Sequence, residues 1–301
     1  MKTFNSLLIT SFLSAVLFQA AQGATYNTIV TLAEDPGQFN STLTGAKVQT
    51  FDNLTGLSTN VVWEGVGTFD KLNVINANQY GGAPSEALPN GTPYAVTGLG
   101  SVKTTTLTLN QASSYFGMYW SAGDALNDLK FYSNGELVAN FTTSNLMNLL
   151  PTAYYGNPIE SGPFANKNAG EPYAFINFLG DANTSWDTIV FSNNGSSGFE
   201  GDNYTSRVEG WNPAADGEIT GKPVISLSTD GGTQTVSRVT STSTDADGNL
   251  VLDMVNTQTG AQTVATFAPA APAAPAPPLM LIAAFGAAIA IKGLQRKNGT
   301  A

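Results

Sequence analysis

The alternation of hydrophobic and polar residues along the chain is typical of a β protein. Short runs of β-branched and aromatic residues recur between residues 24 and 212, and clusters of Gly, Asn, Asp and Pro separate them. Residues 102–109 alternate hydroxyl and apolar side chains, which is the pattern of a strand with one buried face. The runs predict strands at residues 28–32, 47–51, 61–66, 94–97, 102–109, 115–120, 129–132, 137–141, 173–179, 188–191 and 204–209. Roughly a dozen short strands with long Gly-rich loops predict an all-β fold, a jelly-roll-like β-sandwich.

The segment 129–141 gives the clearest local prediction. Two alternating runs flank Asn134-Gly135, a pair that suits the positive φ angles of a tight hairpin turn. We therefore expect a hairpin centred on these two residues. A short helix is predicted just beyond it, at residues 145–150, because Ser144 can cap its first turn and Pro151 ends it.

The character of the sequence changes near Pro213. Between residues 222 and 267 aromatic residues become rare, and Thr, Ser, Asp and Gln dominate. Short apolar runs at residues 224–227, 235–239, 250–255 and 263–267 predict a small meander, with turns at Asp230-Gly231-Gly232 and Asp247-Gly248-Asn249. We interpret residues 213–267 as a β appendage or stalk on the main domain at 24–212.

The first 23 residues have the parts of a secretory signal. Lys2 supplies the positive start, residues 7–18 are mainly apolar, and Ala21 and Gly23 are the small residues that a signal peptidase reads. We expect the mature chain to begin at Ala24. The alternative is an uncleaved anchor helix, although the apolar stretch is short for a span of roughly 20 residues.

The other end of the chain predicts a membrane anchor. A Pro/Ala linker at residues 268–278 leads into an apolar run at 279–291, and the tail at 279–301 closes with Lys292, Arg296 and Lys297. The run is short for a bilayer that needs about 17–25 residues, but snorkelling of Lys292 closes the gap. The basic residues keep this end cytoplasmic. The alternative is a helix buried in the core, but the linker separates the run from the folded region.

Linker, short span and basic end together resemble the tails of bacterial exosortase-dependent proteins, the PEP-CTERM class. The motif of that class is Pro-Glu-Pro or a Pro-x-Pro variant, and this chain has Pro275-Ala276-Pro277. The resemblance implies a transient anchor in the inner membrane, a membrane protease as partner, and release to the cell surface or extracellular matrix.

Four phrases of the central region resemble one group of these surface proteins. They are Gln79-Tyr80-Gly81-Gly82-Ala83, Tyr115-Phe116-Gly117-Met118-Tyr119-Trp120-Ser121-Ala122-Gly123-Asp124, Gly170-Glu171-Pro172-Tyr173-Ala174 and Gly198-Phe199-Glu200-Gly201-Asp202-Asn203. The resemblance covers roughly half of the chain and implies a secreted β-sandwich. It brings no catalytic residues.

Composition excludes several function classes. All 22 acidic residues and 8 of the 12 basic ones lie between the two predicted signals, which gives that region a formal charge of −14. Such a surface repels nucleic acid. The chain has no Cys and no His, which removes disulfides, thiol and Ser-His-Asp catalysis and the usual zinc sites.

Calcium is the cofactor that an acidic, disulfide-free exported domain suits best. Ca²⁺ takes six to eight oxygen ligands, often from loops that are distant in sequence. The candidates are Asp52, Asp124, Glu200, Asp202 and Asn203, which we place at strand ends or in Gly-rich loops. The alternative is that these residues only shape turns.

Aromatic and carboxylate residues suggest two ways of handling a glycan. Tyr154 and Tyr155 are the candidates for contact with extracellular polysaccharide, since they lie in a predicted loop, whereas Trp63 and Trp120 lie in predicted strands and are expected in the core. Glu171 and Glu200 are a conceivable glycosidase pair. We interpret the chain as a non-enzymatic surface or matrix protein with a structural or adhesive role; a carbohydrate-binding module and a carboxylate-only glycoside hydrolase are the alternatives.

Overall fold

The alternating runs fold into antiparallel strands. A computed structural model describes residues 24–98, 102–193, 195, 197–217 and 219–268. The described residues form sixteen strands, hydrogen-bonded into one large antiparallel sheet. The strands are β1 (Thr25–Leu32), β2 (Lys47–Gln49), β3 (Gly56–Trp63), β4 (Gly67–Ile75), β5 (Tyr94–Gly98), β6 (Thr104–Ser113), β7 (Tyr115–Ser121), β8 (Asn127–Ser133), β9 (Glu136–Thr142), β10 (Ala174–Gly180), β11 (Trp186–Asn193), β12 (Gly198–Arg207), β13 (Lys222–Asp230), β14 (Thr233–Thr244), β15 (Leu250–Asn256) and β16 (Gln262–Phe267). Two short helices, α1 (Ser144–Met147) and α2 (Pro213–Asp216), and a 3₁₀ helix at Thr152–Tyr154 complete the described elements.

The sheet bends back on itself. Its main path runs β16-β15-β14-β13-β1-β10-β7-β12-β5-β4-β6-β11-β8-β9, and β9 returns to lie against β1 and β13. The Asn140 N–H donates to Gln234 Oε1 at 2.6 Å, and Gln234 Nε2 donates to the Asn140 carbonyl at 2.7 Å. The all-β fold predicted from the pattern is confirmed, and its layout is sandwich-like.

The core forms where the layers face each other. The Phe116 ring on β7 lies within 6.3 Å, centroid to centroid, of rings from four other strands, those of Phe131, Phe178, Phe191 and Tyr204. Trp63 and Trp120 are buried, as predicted. Every residue of β7 and of β10 is buried, because these central strands are covered on both faces.

Two strands differ from their predictions in a way that matters for the site. The run at 204–209 overlaps the end of a longer strand, β12, that begins at Gly198 and ends at Arg207. Glu200 and Asp202 therefore lie on a strand and not in a loop. The strand β4 was not predicted, and the run assigned to 61–66 contains the turn that precedes it. The adjacent exposed residues Asp70 and Lys71 interrupt the alternation of β4 and hide its pattern.

The predicted hairpin is confirmed. Ser133 pairs with Glu136, and Asn134 and Gly135 form the two-residue turn with φ of 50° and 82°. A short helix also forms, but it starts one residue earlier than predicted and ends at Met147, three residues before the predicted end. Thr143 is its N-cap residue and makes no side-chain capping bond, so the predicted capping role of Ser144 is wrong.

The four C-terminal strands form the predicted meander, but it is not a separate appendage. Strand β13 pairs with β1 along its whole length, and Ile225 and Leu227 belong to the main core. The described residues therefore show no break at residue 213 and all belong to one compact unit.

The two predicted export segments, residues 1–23 and 279–301, lie outside the described residues, as do Pro275, Pro277, Lys292, Arg296 and Lys297. In the part of the chain that the structure describes, no helix has the length and apolar character needed to cross a membrane.

Candidate functional site: an acidic cleft beside β12

A cavity of about 420 Å³ opens beside the start of β12. Three carboxyl groups line it, those of Asp124, Glu171 and Glu200, together with the phenol rings of Tyr80 and Tyr94. Asn78 and Ser197 add an amide and a hydroxyl. We call this cavity the acidic cleft. Its volume lies within the range of about 300–1,000 Å³ that is usual for small-molecule sites.

Four segments that are far apart in sequence meet at the acidic cleft. They are the four phrases that carry the resemblance described above, and they contribute Tyr80, Ala122 with Asp124, Glu171, and Gly198 with Glu200. Strands β10, β7, β12 and β5 are adjacent in the sheet in that order, and each phrase lies on or next to one of them. Residues of all four phrases therefore line one cavity.

Strand β12 positions Glu200. This residue pairs with Ser121 on β7 and with Val96 on β5, so its backbone is fixed from both sides. Gly198 makes room for the side chain, because a Cβ atom at that position would stand 2.1 Å from Glu200 Oε1. The sheet therefore holds this carboxyl group at the wall of the cleft.

The turn after β7 brings in the other two carboxyl groups. Ala122 has a positive φ of 44°, and the chain then turns into Asp124, whose carboxylate accepts bonds from the Leu126 N–H at 2.7 Å and from the Ser197 hydroxyl. The Gly123 N–H donates to the Pro172 carbonyl at 2.9 Å. This bond joins the turn to the segment that carries Glu171.

A hydrogen-bond network holds the Tyr80 side of the cleft. The Gln79 carbonyl accepts bonds from Tyr173 Oη at 2.7 Å and Asn168 Nδ2 at 2.8 Å. Asn78 Oδ1 accepts from the Tyr80 N–H at 2.7 Å and from Tyr94 Oη at 3.0 Å. Tyr94 is buried, whereas Tyr80 is 43% exposed and forms the accessible edge.

Glu200 is the most unusual group in the cleft. It is 6% exposed, and no other residue of the described chain donates a hydrogen bond to its carboxyl group. Burial raises its pKa to about 8; its own backbone N–H opposes the rise, and the nearby Asp124 and Glu171 add to it. Burial, with the Asp124 charge, also raises the pKa of Glu171, whose Oε2 atom is buried without a partner. At neutral pH Glu200 therefore carries a proton and can donate a hydrogen bond.

Asp202 has a different role. It is fully buried, and its carboxyl group accepts from the Ala83 N–H and Thr92 Oγ1, each at 2.8 Å, and from the Asn203 N–H at 2.7 Å. Burial raises its pKa to about 7, although these bonds oppose the rise. Asp202 thus ties the 83–92 loop to β12 and is not part of the cleft lining.

The five residues predicted to bind calcium do not form one site. Asp124 and Glu200 line the cleft, whereas Asp202 is committed to backbone donors. Asp52 accepts from Thr50 Oγ1 at 2.9 Å, and the Asn203 amide donates to the Phe39 carbonyl at 2.9 Å. Among the described residues no three acidic side chains are grouped so that they can hold a metal ion. The shared calcium site is therefore not supported.

The predicted glycan contacts lie elsewhere and are poorly placed. Tyr154 is 7% exposed, and its hydroxyl donates to the carbonyls of Ala33 and Glu34, so it is a core residue and not a stacking surface. Tyr155 is half-buried and donates to the Met147 carbonyl at 3.0 Å. The accessible tyrosine is instead Tyr80, which single-residue reasoning missed. Its place in one of the four phrases was the signal that pointed to it.

Glu171 and Glu200, the two residues suggested above as a glycosidase pair, line the same cavity, as catalysis by two carboxyl groups requires. No protein-family model, curated protein or solved structure matches the chain.

Proposed function

We propose that the protein is an exported surface or matrix protein with an adhesive role, and that it binds a saccharide in the acidic cleft. The observation that carries the proposal is the convergence of four sequence-distant segments on one cavity lined by carboxyl groups and phenol rings. A purely structural sheet has no need to collect Glu171 and Glu200 at one place with unsatisfied polar atoms, because burying such groups costs free energy.

The chemistry of the lining suits a sugar. Carboxyl and amide groups bond to ring hydroxyls in pairs, and an exposed aromatic ring packs against the apolar C–H face of a pyranose. The acidic cleft supplies both, with Tyr80 at its accessible edge and Asn78, Ser197 and Glu200 further in. The protonated Glu200 can donate a bond as well as accept one, which suits a hydroxyl partner.

The proposal also includes the route by which the protein reaches its partner. The signal at 1–23 directs export, and the tail at 279–301 holds the chain in the inner membrane until a sorting protease acts near Pro275-Ala276-Pro277. We also propose that the strands of the sandwich are arranged as in a jelly roll.

Co-sedimentation with insoluble polysaccharide from extracellular matrix tests the adhesive role. The protein should sediment with the polymer, and Tyr80→Ala should leave it in solution because the stacking surface is removed. Glu64→Gln, an exposed change in the β3–β4 turn, is the control and should sediment normally. Failure of the unmodified protein to sediment, or sedimentation of Tyr80→Ala to the same extent, would contradict the proposal.

A glycoside hydrolase is the second candidate, and one observation favours it. Glu171 and Glu200 share the cleft. The pKa of Glu200 is raised to about 8, so this residue is protonated near neutral pH, as the general acid of such an enzyme must be. Release of reducing ends from a matrix oligosaccharide, abolished by Glu200→Gln, would support this candidate. Binding without any product would eliminate it.

A further inference from the structure

The acidic cleft has carboxyl groups but no cation to balance them. No Lys or Arg is among its lining residues, and the two ion pairs of the described chain, Lys130–Asp128 and Arg207–Asp216, do not involve it. Buried carboxyl groups in proteins are normally paired or hydrogen-bonded. The described chain therefore offers this cleft no cation to balance Glu200 once it ionises.

Two of its carboxyl groups are also short of donors. Glu200 is nine-tenths buried at the cavity wall without a bond from another residue of the described chain, and Glu171 Oε2 is buried without a partner. Only Asp124 is satisfied within the chain, by Leu126 and Ser197. Both residues line one cavity, and the Glu200 carboxyl group there suits a ligand that brings several N–H or O–H donors together.

We propose that the saccharide bound in the acidic cleft carries a free, protonated amine, as in a de-acetylated hexosamine. This inference rests on the proposed function and names the class of sugar. An ammonium group brings three donors and one positive charge, which suits the Glu200 carboxyl group and the acidic lining that Glu171 and Asp124 add. The Tyr80 ring at the edge is placed to pack against the sugar that carries it.

Other ligands fit the cleft less well. A metal ion needs a prearranged set of oxygens, and the described residues hold no such group of acidic side chains. An N-acetylated sugar replaces the three ammonium donors by a single amide N–H and leaves the carboxyl groups unbalanced. The amine therefore satisfies more of the observed acceptors than either alternative.

Binding of an ammonium group should release a proton. Near neutral pH Glu200 is protonated, because burial and the facing carboxyl groups of Asp124 and Glu171 raise its pKa, while the other groups near it are the phenols of Tyr94, Tyr173 and Tyr204, with none cationic. An entering cation favours the carboxylate. The ligand keeps its own proton, the proton of Glu200 goes to the buffer, and an ion pair forms.

Titration calorimetry of the purified full chain at pH 6 tests the inference. The probes are a β-1,4-linked glucosamine tetramer, its fully N-acetylated counterpart and a trilysine peptide, each in two buffers of different ionisation enthalpy. The glucosamine tetramer should bind at least roughly ten-fold more tightly than the other two probes and release up to about one proton. Glu200→Gln should remove the proton release, and Tyr80→Ala should weaken binding without removing that release. Glu64→Gln, the same substitution at an exposed position outside the cleft, should change neither.

Each other outcome overturns a defined part of the reasoning. Equal or tighter binding of the N-acetylated tetramer overturns the amine assignment but leaves saccharide binding in place. Equal binding of trilysine overturns it in favour of a protein cation. If Glu64→Gln weakens binding as much as Glu200→Gln does, the probe is attracted to the acidic surface in general, and the inference fails. If neither tetramer binds, the inference and the proposed saccharide binding both fail. If the protein also does not sediment with matrix polysaccharide, the proposed adhesive function fails as well.

Discussion

Replacing Glu200 by Gln should make the protein more stable at alkaline pH and change its stability much less near pH 5. In the folded state the pKa of Glu200 is about 8, whereas the ordinary pKa of this group is 4.5. Between these values the folded chain binds a proton that the unfolded chain does not. The stability of the unmodified protein therefore falls as the pH rises through this window. Glutamine cannot ionise, so the variant lacks that loss.

The size of the effect follows from the shift. One pKa unit corresponds to about 1.4 kcal/mol, so a rise from 4.5 to about 8 is equivalent to an upper limit of about 5 kcal/mol. The gain should grow from no more than about 1 kcal/mol at pH 5 to its full value above pH 8. Asp202, whose pKa is also raised, titrates in the same window. It is present in both proteins and cancels from the difference.

Urea unfolding at five pH values from 5 to 9 measures the difference, with Glu64→Gln as the exposed control. The Glu200→Gln midpoint should lie nearest to that of the unmodified protein at pH 5 and exceed it increasingly toward pH 8. A gap that does not change with pH would mean that Glu200 does not titrate in this window. A variant that is less stable at every pH would mean that its carboxyl group makes a bond that the amide cannot replace.

Four further predictions concern other parts of the chain. Gly135→Val should lower the free energy of unfolding by about 1–3 kcal/mol, because it forces a β-branched residue to a φ of 82°, whereas Asn134→Gly should be tolerated; thermal melting compares them. Arg207→Lys removes the paired bonds to Asp216 at 2.6 and 2.7 Å and should cost about 1–3 kcal/mol at pH 7. The ion pair holds the pKa of Asp216 below 3.8, so this cost should shrink as urea midpoints are taken below that pH; a cost independent of pH would argue against the pair. Melting midpoints in excess calcium and in chelator should coincide, and a rise with calcium would reveal a site that the described acidic groups do not form. Deleting residues 279–301 should remove the protein from the membrane fraction, and persistence there would show that the tail is not the anchor.

Much of the sheet followed from local pattern. The hairpin at Asn134-Gly135 was predictable because the turn type depends on two residues that tolerate positive φ. The meander at 222–267 was predictable for the same kind of reason, since its apolar runs are short and its turns are rich in Gly. Strand β4 was missed because Asp70 and Lys71 interrupt its alternation, and pairing with β3 decides the conformation there.

The functional side chains were harder to predict. Glu200 and Asp202 were both taken for loop ligands, because Gly198 and Gly201 next to them suggested a turn. On the strand they separate: one lines the cleft, and the other is bonded to the backbone of a distant loop. Tyr154 was placed on the surface since a Gly-Asn-Pro segment follows it closely, yet its ring fills the core.

The sequence by itself determined the all-β class, the hairpin and the exclusion of His and Cys chemistry. These depend on residue type, period and turn chemistry, which act over a few positions. The tertiary structure alone decided that the phrases meet at one cavity and that Glu200 is buried there without a bond from another described residue. Sheet order and burial arise from pairing between strands far apart in the chain, and the pKa of a carboxyl group depends on the solvent and charges that this pairing leaves around it.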